Sequence, residues 1–136
     1  MNYKRYKAWE FADQLVRSVY RATATFPKSE AFALTSQMRR AALSVPGNIV
    51  EGSARKHQKE FLRFLYVALS SLTELAYYID LAKDLGYLKD GQLGLIQLSQ
   101  RTARVLQGLI SRLERDLKAD SRQLTADSQD HSSAGR

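Results

Sequence analysis

The sequence has no cysteine and only two histidines, and each scarcity removes a class of function. Without cysteine the chain cannot form a disulfide, ligate an iron–sulfur cluster, build a thiolate zinc site or use a thiol nucleophile. Neither His57 nor His131 has a partner at metal-ligand spacing, so we expect both on the surface and no metal site. No Gly-rich phosphate loop or nucleophile elbow occurs, which predicts a protein without enzymatic activity or cofactor.

Long apolar runs are also missing. The N-terminus is charged and aromatic with no apolar segment behind it, unlike a secretory signal. No stretch approaches the roughly 20 apolar residues that a membrane-spanning helix needs. These features predict a cytoplasmic protein without a membrane partner.

Apolar residues instead recur at helical spacing, and the first two helices flank a proline. The first helix ends before Pro27, and its predicted apolar face consists of Trp9, Ala12, Val16, Val19, Thr23 and Phe26. The second is predicted from about residue 30 to 54, with Ser29 as its N-cap. Pro46 lies inside that pattern and removes a backbone donor, so we expect one kinked helix and not two separate ones.

The third and fourth segments complete a bundle. The third carries an unbroken heptad seam of Phe61, Leu65, Ala68, Leu72, Leu75, Ile79 and Ala82. Gly86 fits its C-cap, and Asp90 is a predicted N-cap for the fourth helix, which carries apolar residues from Leu95 to Leu117. Residues 118–136 are polar and predicted to be disordered. The chain is therefore predicted to be all-α, with an antiparallel up-down four-helix bundle over residues 1–117.

The charge of the chain is strongly positive. Twenty-one Lys and Arg against fourteen Asp and Glu give +7. Residues 1–27, 28–58 and 91–118 each carry +3, whereas 59–90 and 119–136 each carry −1. This balance suits a phosphate backbone or an anionic membrane surface. Because the basic residues are spread over several helices and not one amphipathic anchor, the membrane is the less favoured of the two.

Two helix faces concentrate the basic residues and are the candidate nucleic-acid contacts. On the fourth helix a sector of about 80°, some 21 Å long, contains Arg101, Arg104, Arg112 and Arg115. On the first, one face contains Lys7, Arg17 and Arg21. Arginine suits bidentate phosphate contact, and no aromatic platform accompanies these residues, so base stacking is not predicted. The alternative is a solvated face with intrahelical pairs such as Arg112 with Asp116.

Polar and charged side chains of the second and third helices form a candidate structural polar network, whose members are Gln37, Arg40, Asn48, Glu51 and Glu74. Buried groups of this kind are tolerated when they are mutually hydrogen-bonded, so we expect the network to hold the second helix against the third. A di-iron bundle would need Glu-x-x-His pairs, which the sequence lacks. A catalytic role would require an open cleft at Glu51 and Glu74.

A long sequence motif begins at the end of the first predicted helix. It reads Phe26-Pro27 with Glu30, then Leu34 and Gln37, then R-R-A-A-L-S-V-P-G-N-I-V-E-G from Arg39 to Gly52. Further matching positions are Trp9, Ala12, Leu15, Phe64, Ala68, Ser71, Glu74, Leu75, Leu85, Gly86 and Tyr87. Over residues 3 to 117 this pattern resembles the four-helix-bundle proteins encoded in intervening sequences of bacterial 23S rRNA genes.

The resemblance implies a ring-shaped homopentamer and kinship with the basic accessory proteins of diversity-generating retroelements. Partners so implied are further copies of the chain, rRNA or another nucleic acid, and a reverse transcriptase. The sequence is therefore compatible with two functions. One is electrostatic binding of RNA or DNA backbone with little sequence preference. The other is a protein-interaction scaffold, or retroelement accessory subunit, with no nucleic-acid function of its own.

Overall fold

A computed structural model of the chain describes the backbone of residues 2–134 and the side-chain surroundings of residues 3–130. Its four α-helices are α1 (Lys7–Thr23), α2 (Leu34–Ser53), α3 (Gln58–Asp84) and α4 (Gly94–Ala134). Short 3-10 helices cover Asn2–Arg5, Lys28–Glu30 and Asp90–Gln92, and this described part contains no strand. The position of His131 falls outside the side chains that are described.

The four α-helices pack side by side as a bundle, with one helix at each corner. Consecutive helices contact each other along the chain, and α4 closes the arrangement by packing on α1. Short connections make consecutive helices antiparallel. The predicted all-α four-helix bundle is thereby confirmed.

The core matches the predicted α3 seam and corrects the face of α1. All seven seam residues of α3 are buried, and no other α3 residue is. In α1 the buried set is Ala8, Ala12, Leu15, Val19, Ala22 and Thr23. Trp9 and Val16 are only half-buried and pack at the edge of the core. Small alanines occupy the centre of the face because they let α1 approach its neighbours closely.

The start of α2 differs from its prediction. Ser29 does not cap a helix, because the chain turns through 3-10-type hydrogen bonds from the amide of Glu30 to the carbonyl of Pro27 (2.9 Å) and from Ala33 to Glu30 (3.0 Å). The helix begins four residues later, at Leu34, without a side-chain cap. From there it runs without interruption through Pro46, so α2 is one helix.

The connection from α3 to α4 is shaped by a glycine. Gly86 has φ +76°, a left-handed conformation that suits the residue after a helix C-cap. Its amide donates to the carbonyl of Lys83 (3.0 Å), and the amide of Tyr87 donates to Ala82 (2.9 Å), which defines a Schellman motif. Asp90 is not the N-cap of α4, because it starts a separate 3-10 turn before Gly94.

The segment predicted to be disordered continues α4. Residues 118–134 are helical, and every described side chain from Lys118 to Asp130 is exposed. Composition correctly indicates that this segment buries nothing. It remains helical because no proline or glycine interrupts it between Lys118 and Ala134, so it follows a helix that is already nucleated.

Candidate nucleic-acid interface

The packing of α4 on α1 joins the two predicted basic faces. Lys7 and Arg112 line one depression between these helices, near the start of α1. Arg21 lines a second depression at the opposite end of the same seam, where α4 begins. The side chains of all seven predicted contact residues are exposed: Lys7, Arg17, Arg21, Arg101, Arg104, Arg112 and Arg115. One side of the bundle therefore carries both basic faces.

The arginines of α4 lack carboxylate partners. No ion pair among the described residues involves Arg101, Arg104, Arg112 or Arg115, so the alternative pair of Arg112 with Asp116 does not form. The 20 residues from Gly94 to Leu113 contain no Asp or Glu at all. Glu114, which follows, accepts a hydrogen bond from the Tyr66 hydroxyl of α3. Within the acid-free stretch, Arg101, Arg104 and Arg112 therefore have no carboxylate of α4 beside them in sequence and no ion-pair partner.

Arg101 also attaches α4 to α1. Its guanidinium carbon lies 4.7 Å from the centroid of the Phe11 ring, a cation–π contact between the two helices. Arg101 therefore combines a packing role with its exposed charge.

Two of the basic residues of α1, unlike the arginines of α4, have carboxylate partners. Arg17 Nε donates to Asp13 Oδ2 at 3.1 Å, and Lys7 Nζ lies 3.3 Å from Glu10 Oε2. Both pairs lie at the surface, where such ion pairs contribute little and exchange readily with other partners. Arg21 has no ion-pair partner among the described residues. Within α1, Arg21 therefore presents the least compensated charge.

Arg5 also lies on this basic surface, although helical periodicity did not predict it as a contact residue. One of its guanidinium nitrogens donates to the Tyr6 hydroxyl at 2.7 Å, and its guanidinium carbon lies 4.9 Å from the Tyr6 ring centroid. The Tyr6 ring in turn packs against Phe61 of α3 at 5.3 Å. The residue precedes α1 in a 3-10 turn, so only the three-dimensional packing places it beside α4.

The predicted polar network is largely wrong. Only Asn48 bridges toward α3: its amide donates to the Ser44 carbonyl (2.7 Å) and hydroxyl (3.0 Å), and that hydroxyl pairs with Ser71 (2.7 Å). The remaining predicted members are exposed: Gln37, Arg40, Glu51 and Glu74. Two serines therefore replace the predicted carboxylates, because serine fits between closely packed helices.

The two glutamates make local contacts instead. Glu51 pairs with Arg55 one turn later at 3.3 Å. Glu74 accepts a hydrogen bond from the Tyr78 hydroxyl at 2.6 Å, and this bond raises the pKa of the Tyr78 phenol above its ordinary value. Neither arrangement places two carboxylates together. The described residues also contain no cluster of three or more potential metal ligands. None of their helices is long and apolar enough to cross a membrane.

Comparison with known proteins assigns the family. The model of the 23S rRNA-intervening sequence protein family matches residues 4–110. The chain belongs to this family. A crystal structure of a protein of unknown function from the S23 ribosomal protein family of Bacteroides thetaiotaomicron VPI-5482 has the same fold, with a TM-score of 0.69 at 18% identity. The similarity covers 76% of this chain and 97% of that one. No curated protein matches the sequence.

Membership in the 23S rRNA-intervening sequence protein family agrees with the resemblance seen in the sequence. The matched region includes α1, α2, α3 and α4 as far as Ile110. It leaves out Arg112, Arg115 and the exposed continuation of α4. The contacts between α1 and α4 that form the basic surface lie mostly within the family region.

Proposed function

We propose that this intervening-sequence family protein is a non-enzymatic, self-assembling scaffold that binds RNA or DNA backbone along its α1–α4 side. The observation that carries the proposal is the acid-free stretch of α4, whose arginines have no carboxylate partner. A surface of uncompensated guanidinium groups attracts phosphates and releases their counterions on binding.

The dimensions of the basic surface suit a nucleic-acid strand. Arg101 and Arg115 are separated by about 21 Å along the helix axis. One strand of a duplex carries one negative charge per about 3.4 Å, so about six phosphates pass this length. Exposed arginines spaced by one to two helical turns can contact several of them without reading base edges. Little sequence preference is therefore expected.

The test replaces three arginines that project from α4. We expect Arg101→Gln/Arg104→Gln/Arg115→Gln to bind a labelled 20-nucleotide single-stranded RNA about 10- to 100-fold more weakly at 0.05 M salt. The slope of log affinity against log salt should fall by about 2, since each lost phosphate contact removes about 0.7. Fluorescence anisotropy over a salt series measures both.

A charge-matched control separates the surface from net charge. The variant Lys28→Gln/Arg63→Gln/Lys83→Gln also removes three exposed positive charges, but away from the α1–α4 seam. It should retain nearly wild-type affinity. An equal loss in both variants would contradict a localised interface, and wild-type binding that does not weaken by about 0.3 M salt would contradict the electrostatic mechanism. No RNA binding at all would favour a scaffold for a protein partner such as a reverse transcriptase.

We further propose that the scaffold is a homopentamer, as family resemblance implies. Large apolar side chains lie uncovered on the single chain, including Phe32 (99% exposed) and Tyr77 (64%). Side chains exposed in this way are available to pack against further copies of the chain, where they would form part of a larger apolar contact. Light scattering after gel filtration should give five copies of the 15.4-kDa chain, about 77 kDa. A measured mass of one chain at micromolar concentration would contradict the proposed pentamer.

A further inference from the structure

A recess of about 200 Å³ lies between the first turn of α1 and the middle of α4. Its lining includes the small or apolar residues Ala8, Val105 and Gly108. Its rim carries three cations, Arg5, Lys7 and Arg112. None of the lining residues is acidic, and the volume is several times the roughly 30 Å³ share of one water molecule. Its chemistry suits a small anionic group.

Gly108 is the feature of this recess that packing does not explain. It lies in the interior of α4, where glycine is unfavourable because it loses more backbone freedom than any other residue. A Cβ atom built on Gly108 would meet nothing within 4 Å. No neighbour in the chain therefore requires glycine at this position. What the missing side chain does provide is the open space of the recess.

The Arg5 side chain is oriented at the rim of the recess by a hydrogen bond to its neighbour Tyr6. Phe61 supports the Tyr6 ring, and the Tyr6 hydroxyl accepts from the Arg5 guanidinium at 2.7 Å. This arrangement orients Arg5 without a carboxylate, so its charge remains available. Lys7 is paired only with Glu10, across 3.3 Å at the surface, where an incoming anion can compete.

We propose that this recess holds one phosphate group of a bound nucleic-acid strand. Arg5 and Arg112 would make charge-assisted hydrogen bonds to its oxygens, and Gly108 would allow the sugar–phosphate backbone to approach α4. The inference rests on the proposed function and adds to it a defined contact point. It also adds Arg5, Tyr6 and Gly108 to the residues that determine binding.

The decisive variant fills the recess without removing a charge. We expect Gly108→Leu to bind the labelled 20-nucleotide RNA about tenfold more weakly at 0.05 M salt, because its side chain occupies the phosphate position. Gly108→Ala adds a single carbon to the recess and should weaken binding less than Gly108→Leu does, because more of the recess stays open. Gln107→Leu is the matched control: this exposed neighbour on the same helix does not line the recess, and its leucine should leave binding unchanged.

A second variant and a second probe guard against an indirect effect. Arg5→Gln leaves α1 and α4 intact and should lower the salt slope by about 0.7, one phosphate contact. In the wild-type protein, the backbone amide resonance of Gly108 reports directly on the recess. Added RNA should shift it, and inorganic tripolyphosphate serves as the free-phosphate probe.

The outcomes separate this inference from the proposed function. If Gly108→Leu binds RNA like wild type while Arg101→Gln/Arg104→Gln/Arg115→Gln binds weakly, the recess proposal is overturned and the interface stands. If tripolyphosphate shifts the Gly108 amide but RNA does not, the recess is a site for free anions, which also overturns it. If wild-type protein binds no RNA at low salt, both proposals fall.

Discussion

Replacing Gly52 by leucine is expected to destabilise the bundle by about 3 kcal/mol or more, through overpacking between α2 and α3. A Cβ atom at Gly52 would lie 2.7 Å from Phe64 Cβ and 2.9 Å from Phe61 Cδ1. Phe64 Cβ is attached directly to the α3 backbone and cannot rotate away. The helices must therefore separate, which exposes the core to water. Urea unfolding followed by circular dichroism measures the loss, at one fixed protein concentration because self-assembly adds to stability.

Gly47 supplies the matched control in the same helix. A Cβ atom at Gly47, an exposed position, would meet nothing within 4 Å, so Gly47→Leu begins in open space and gains the helix propensity that glycine lacks. We expect it to unfold at the same urea concentration as wild type or a higher one. If Gly47→Leu and Gly52→Leu lose stability equally, contact with Phe64 is not the reason for glycine at position 52.

Truncating Leu75 to alanine is expected to cost about 2.5–5 kcal/mol. Leu75 has 0% exposure and lies in the middle of the α3 seam, where close packing on neighbouring helices limits how far the site can collapse. The free energy of unfolding from urea titration checks the value. Val67→Ala, at a position of the same helix that is 46% exposed, is the control and should cost less than about 1 kcal/mol. A similar loss in both would mean that α3 does not bury the seam.

The contrast between α3 and α1 shows what helical periodicity can determine. The α3 seam is continuous, and its residues are large and apolar, so one face is unambiguous. In α1 the buried face includes Ala8 and Ala22, which a pattern of large residues passes over in favour of Trp9. Alanine is compatible with either side of a helix. Only the closeness of the neighbouring helix decides its place.

The candidate interface shows the same limit: helical spacing predicts one part of it and not the other. The four arginines of α4 share a sector because helical geometry alone puts them there. That Lys7 and Arg5 lie beside Arg112 depends on the register of α1 against α4, which no single-helix pattern contains. The polar network was misplaced for a related reason. Its four members on α2 share one face, but that face is turned mainly to solvent, and only Asn48 and the neighbouring Ser44 reach α3.

The closure of the bundle by α4 on α1 links the proposed binding surface to folding. Among the described residues, the other main contacts between α-helices join neighbours in the chain, whereas this one joins the first α-helix to the last. Contacts at long sequence separation require the largest loss of chain entropy and tend to form late. A chain still emerging from the ribosome has α1 but not α4, and so lacks the paired basic surface. Phosphate binding there would select completed molecules and stabilise them against unfolding.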